Sequence, residues 1–66
     1  MQITVNGNPT SVEPNTSVGE LLQQLALEPV RVAVEINEDL VPRKRFAETL
    51  IRSGDRIEVV TFVGGG

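Results

Sequence analysis

One stretch of this chain carries a helical period, and most of what surrounds it alternates like strand. Val18, Leu21, Leu22 and Leu25 stand at i, i+3, i+4 and i+7, which places all four on one stripe of a helix. Ser17-Val18-Gly19-Glu20 ahead of them reads as a capping box, the serine accepting from the Glu20 amide while the glutamate reaches back. Gln23, Gln24 and Glu28 take the wet side, and Pro29 is expected to end the element. A lone amphipathic helix has to bury its stripe against something, and among strands the surface available is one face of a sheet. Leu21, Leu22 and Leu25 therefore belong to a core.

The strands can be read on either side of it. Gln2-Ile3-Thr4-Val5-Asn6 alternates polar and apolar, Asn6-Gly7-Asn8-Pro9 carries the Asn-Gly turn signal, and Thr10-Ser11-Val12-Glu13 suits the returning arm of a hairpin. After the helix, Arg31–Ile36 sets Val32, Val34 and Ile36 on one face. Asn37-Glu38-Asp39 turns the chain into a short edge strand at Leu40-Val41, with Pro42 suiting an edge because proline cannot donate to a central ladder. Arg43 to Ser53 holds Phe46, Leu50 and Ile51 and fits a short helix or 3₁₀ segment. Gly54-Asp55 turns into a last strand that runs to about Phe62. The order fits an α+β fold, a mixed sheet of four to five strands covered on one face by one main helix. By analogy it is of the β-grasp (ubiquitin-like) kind, in which the first and last strands pair in parallel at the centre, a strand order not visible in the sequence itself. The expected division is a folded domain over 1–63 and a flexible glycine tail over 64–66.

Size and composition narrow the chemistry. With 66 residues and neither cysteine, histidine nor tryptophan, the chain has no disulfide, no thiolate nucleophile, no histidine base and none of the usual zinc ligands. Carboxylates such as Glu38 and Asp39 fall in a turn, where solvation accounts for them. The net charge of −3 argues against nucleic acid as a partner. The one basic cluster, Arg43-Lys44-Arg45, reads as a solvated face, with docking to an acidic surface as the alternative. No apolar run approaches the ~18 residues of a membrane helix, so a soluble, cytoplasmic protein is expected. The chain is not expected to be an enzyme or to bind a cofactor or metal; it reads as a substrate of enzymes.

The tail is where chemistry is expected. Gly64, Gly65 and Gly66 follow a strand, and without Cβ atoms they can thread a channel too narrow for any side chain. From Val63 onward the extended chain reaches roughly 13 Å, at about 3.3 Å per residue. Three glycines are also what a frayed end or a linker scar carries; the clean start at Met1 and the lack of linker serines favour a working tail. On the last strand, Ile57 and Val59 read as the core side. Val60 and Phe62 then lie on the opposite face near the base of the tail, either as a docking patch or covered by the Arg43–Ser53 segment.

These stretches together resemble the sulfur carrier proteins of thiamine biosynthesis, the ThiS family of ubiquitin-like β-grasp proteins. The resemblance covers essentially the whole chain. It lies in Thr16-Ser17-Val18-Gly19-Glu20-Leu21-Leu22, in Val32-Ala33-Val34-Glu35-Ile36-Asn37 with Val41-Pro42-Arg43, and in Gly54-Asp55-Arg56-Ile57-Glu58-Val59-Val60 leading to the terminal glycines. It implies that an ATP-dependent, E1-like adenylating enzyme activates the Gly66 carboxylate. A persulfide donor then leaves a thiocarboxylate on Gly66, and thiazole synthase draws on that sulfur. ATP is consumed by the activating partner. Gly64 and Gly65 carry the tail into both active sites, and Val60 and Phe62 anchor the body. The small subunit of molybdopterin synthase shares this fold and chemistry but is typically longer. A protein-conjugating modifier, with Lys44 as the one lysine available for chains, and a non-covalent binding module with an inert tail are the further alternatives.

Overall fold

The computed structural model describes residues 1–62. β1 (Gln2–Val5) and β2 (Asn8–Ser11) form the first hairpin, α1 (Val18–Gln24) crosses the sheet, and a 3₁₀ turn over Pro29–Arg31 leads into β3 (Val32–Ile36). β4 (Asp39–Val41) follows, then a 3₁₀ turn over Arg43–Arg45 and β5 (Arg56–Thr61). The sheet has five strands in the order β2-β1-β5-β3-β4. β1 and β5 run parallel at its centre, and every other neighbouring pair is antiparallel. This is the expected β-grasp.

Both hairpins turn in two residues with positive φ, Asn6 (50°) with Gly7 (82°) and Asn37 (51°) with Glu38 (74°). Turns of this hand match the right-handed twist of the strands they join. The first turn is tighter than the four-residue turn anticipated, so β2 begins at Asn8 and ends at Ser11 rather than running over Thr10–Glu13. Pro9 is accommodated because β2 is an edge strand.

The helix begins as expected: the Ser17 hydroxyl accepts from the Glu20 amide at 3.1 Å, and the Glu20 carboxylate accepts from the Ser17 amide at 2.9 Å. Its next orphan donors are met by the later segment, Val18 N–H by the Thr49 carbonyl and Gly19 N–H by that of Phe46, both at 2.9 Å. Its end departs from expectation. The helix stops at Gln24, well before Pro29, because Ala26 turns left-handed at φ 60°. Leu27 N–H then reaches back to the Leu22 carbonyl at 2.8 Å and Ala26 N–H to that of Gln23 at 3.0 Å. That pair of bonds is a Schellman motif, with alanine where glycine is usual. Pro29 instead opens the following 3₁₀ turn. Ala26→Gly removes the Cβ penalty at this exposed position and is expected to stabilise the domain by about 0.5–1 kcal/mol. A thermal melt should rise by a few degrees, at roughly 4–8 °C per kcal/mol for a domain of this size.

Between helix and sheet lies a single core. Val18, Leu21, Leu22 and Val34 are fully buried there beside Ile3, Val5, Val32, Ile57 and Val59. Phe46 and Ile51, from the segment after β4, close it, with Leu25 and Ile36 packed at its margin.

Candidate functional site

β5 is the strand that carries the chain towards the glycines, and it is held from both sides. Parallel pairing with β1 sets Thr4 beside Arg56 and Val5 beside Ile57. β1 ends there, and the side chain of Asn6 continues the ladder: its Oδ1 accepts from Val59 N–H at 2.8 Å and its Nδ2 donates to the Val59 carbonyl at 3.0 Å. On the other side β3 pairs with β5 from Ile36↔Ile57 to Val32↔Thr61, and Phe62 N–H donates to the Arg31 carbonyl at 2.7 Å. At the far end Asn37 accepts from Arg56 N–H at 3.0 Å and donates to the Asp55 carboxylate at 3.1 Å. Each hairpin turn thus sends an asparagine to fasten β5. The bond from Phe62 N–H fastens the last described residue to β3.

Ile57 and Val59 face the core, as anticipated. Val60 and Phe62 are 59% and 57% exposed. The segment from Arg43 to Ser53 does not cover them; it spends Phe46 and Ile51 on the core beneath the helix's first turn. The face anticipated for Val60 and Phe62 is therefore open. Cross-strand register adds neighbours that the sequence did not reveal. Ala33 lies opposite Val60, Glu35 opposite Glu58, and on the edge strand Leu40 lies opposite Glu35. Leu40 is 66% exposed. These positions share the sheet face turned away from the helix, because residues alternate between faces along each strand.

The basic cluster Arg43-Lys44-Arg45 forms an exposed 3₁₀ turn, which suits the solvated reading and the docking alternative alike. Arg43 and Lys44 line an open groove with Glu20, Gln23 and Pro29 on the helix side of the molecule. Among the described residues no group of three or more metal-ligating side chains converges, and no helix is long and apolar enough to cross a membrane. Gly64, Gly65 and Gly66, expected to form the reactive tail, lie outside the described residues, as does Val63 at the domain boundary.

The sequence model of the ThiS family matches residues 3–66. This chain belongs to the ThiS family. The crystal structure of the thiamine biosynthesis protein ThiS of Geobacter metallireducens superposes with a TM-score of 0.85 at 38% identity, covering 100% of both chains. The sulfur carrier protein ThiS of Escherichia coli is 33% identical over 66 residues, again 100% of both chains. A thiazole synthase of Magnetococcus marinus is 41% identical over 66 residues, but these are 20% of its length. The chain thus spans about a fifth of the thiazole synthases it matches. For this ThiS-family chain the fold anticipated from the sequence and the family it resembles are both as expected.

Proposed function

We propose that this chain is a sulfur carrier of thiamine biosynthesis, acting through the Gly66 carboxylate as a co-substrate of other enzymes. The observation that carries the reading is the family match, which runs through Gly66 and so includes the glycines that the chemistry needs. A carboxylate is a poor acyl donor because its leaving group is oxide. An adenylating enzyme overcomes this by transferring AMP from ATP to Gly66 and releasing pyrophosphate. The terminal sulfur of a persulfide attacks the acyl carbon and expels AMP, giving an acyl disulfide. A second thiol then cleaves the S–S bond by disulfide exchange and leaves the thiocarboxylate. Thiazole synthase is the acceptor this reading favours, since two proteins of that name contain a stretch like this chain within a longer polypeptide.

The body contributes position. β5 is clamped through Phe62, and Val60 and Phe62 offer apolar area at that end of the strand. Intact mass after incubation with ATP, the adenylating enzyme and a persulfide donor tests the reading. The expected result is replacement of one oxygen by sulfur, mapped to Gly66. An unchanged mass, with the enzyme active on a known carrier, overturns it.

A further inference from the structure

Asn6 is the one asparagine of four that is followed by glycine. The nitrogen of the next residue can attack an asparagine's own amide carbon, and glycine offers no Cβ to hinder that approach. Asn8 precedes Pro9, which has no N–H to give up. Asn15 and Asn37 precede Thr16 and Glu38, whose side chains crowd the nitrogen. Around Gly7 the turn is open, since a Cβ placed there would meet nothing within 4 Å. What restrains Asn6 is the engagement of its own side chain. Oδ1 accepts from Val59 N–H at 2.8 Å and Nδ2 donates to the Val59 carbonyl at 3.0 Å, so the amide is turned towards β5.

We infer that Asn6 is a site of spontaneous deamidation, gated by the opening of its two bonds to Val59, and that the product cannot restore them. The inference does not rest on the carrier reading. Once the side chain is released, the Gly7 nitrogen bonds to the Asn6 Cγ while the Cγ–Nδ2 bond breaks. The Gly7 amide proton leaves with Nδ2 as ammonia, and a cyclic imide remains. Water opens the imide at one carbonyl or the other, giving aspartate or isoaspartate at position 6. Neither keeps the clamp. A carboxylate only accepts hydrogen bonds, so an oxygen replaces the donor that faced the Val59 carbonyl. Isoaspartate also adds a methylene to the main chain of a two-residue turn, whose positive φ values of 50° and 82° match it to the strand twist. Among the described residues β1 pairs with β5 as far as Ile57, and the Asn6 side chain extends that side to Val59. Deamidation therefore loosens the end of β5 that leads to Phe62, and it does so in one direction.

The test is incubation of the full chain in mildly alkaline buffer, with and without enough urea to unfold it, followed by peptide mapping. Asn6 is expected to convert about tenfold more slowly in the folded protein, an opening free energy of about 1.4 kcal/mol. That is within what two side-chain hydrogen bonds supply. Asn37, which also bonds to β5, should stay intact in both samples while Asn6 converts. The folded product, separated by anion exchange through its added negative charge, should melt about 4–8 °C below the unreacted protein. Asn6→Gly suits the positive φ but has no amide, so it should not react at this position. Its Val59 N–H should exchange with deuterium faster than in wild type. Equal conversion of Asn6 with and without urea overturns the gate, and Asn37 converting as fast as Asn6 in urea overturns the choice of site. An unchanged melt of the product, or unchanged exchange at Val59 in Asn6→Gly, overturns the loosening of β5.

Discussion

Leu22→Ala is expected to remove most of the stability of this domain, leaving a substantial unfolded fraction at room temperature. Leu22 is 0% exposed and stands in the middle of the stripe that α1 lays on the sheet. Truncating a buried leucine costs roughly 3–5 kcal/mol, the lost transfer energy plus the cavity left behind. A chain of this length has only about 3–10 kcal/mol in total, at roughly 0.05–0.15 kcal/mol per residue. Small domains also have little room to absorb the change, since they bury a smaller share of their surface than larger ones. Leu22 has a second role, because its carbonyl receives Leu27 N–H in the motif that ends the helix. A cavity under that turn loosens the motif at the same time. Urea titration followed by circular dichroism should show the midpoint collapse. Leu50→Ala, at a site 52% exposed, should move it by no more than about 0.5 kcal/mol. Equal midpoints for the two variants would mean that the stripe is not the core.

That the stripe could be read at all follows from how local its causes are. The capping box at Ser17 and Glu20, the i, i+3, i+4, i+7 spacing and the Asn6-Gly7 turn each involve residues within one or two turns of chain, and each forms as the sequence indicates. Where the reading slipped, the deciding physics was not written in the residue type. The helix ends at an alanine in the left-handed region, which carries none of the glycine signal that marks such ends. Pro29, the visible breaker, lies beyond the point where the helix has already stopped. In the same way Pro9 appeared to belong to a turn, and only the edge position of β2 makes it a strand residue.

The candidate site divides along the same line. The alternation of Ile57 and Val59 against Val60 and Phe62 is local and was legible. Whether the outer pair is covered depends on where the Arg43–Ser53 segment packs, and that is decided by its hydrogen bonds to the first turn of the helix. The opposition of Glu35 and Glu58 is less accessible still. It arises from pairing between strands separated by β4 and a long connection, and a shift of one residue would send one carboxylate to the other face. Asn6 shows the same limit: it reads as a turn residue, yet its side chain is bonded to Val59, 53 residues away.

Gly65→Val is expected to abolish sulfur loading while leaving the fold untouched. The substitution adds a β-branched side chain at a position that, on the proposed mechanism, lies inside the partner's active-site channel, and it restricts the backbone angles the residue can take. A carboxylate oxygen of Gly66 must lie in line with the α-phosphorus of ATP and the departing pyrophosphate, and the acyl carbon must later meet a persulfide sulfur. Displacing a reacting atom by about 1 Å can cost roughly a hundredfold in rate. Charging measured by intact mass should therefore fall by about two orders of magnitude or more. The melting temperature should stay at the wild-type value, because the core among the described residues is built from side chains no later in the chain than Val59. Gly64→Ala separates reach from width. It places one methyl group a residue further from the reacting carbon, so a channel that is narrow only near its end tolerates it and one that is narrow throughout does not. Wild-type charging of Gly65→Val would show that the channel is wide and that glycine serves no steric purpose there. Thiazole formation that persists after deletion of Gly65 and Gly66 would end the carrier mechanism itself.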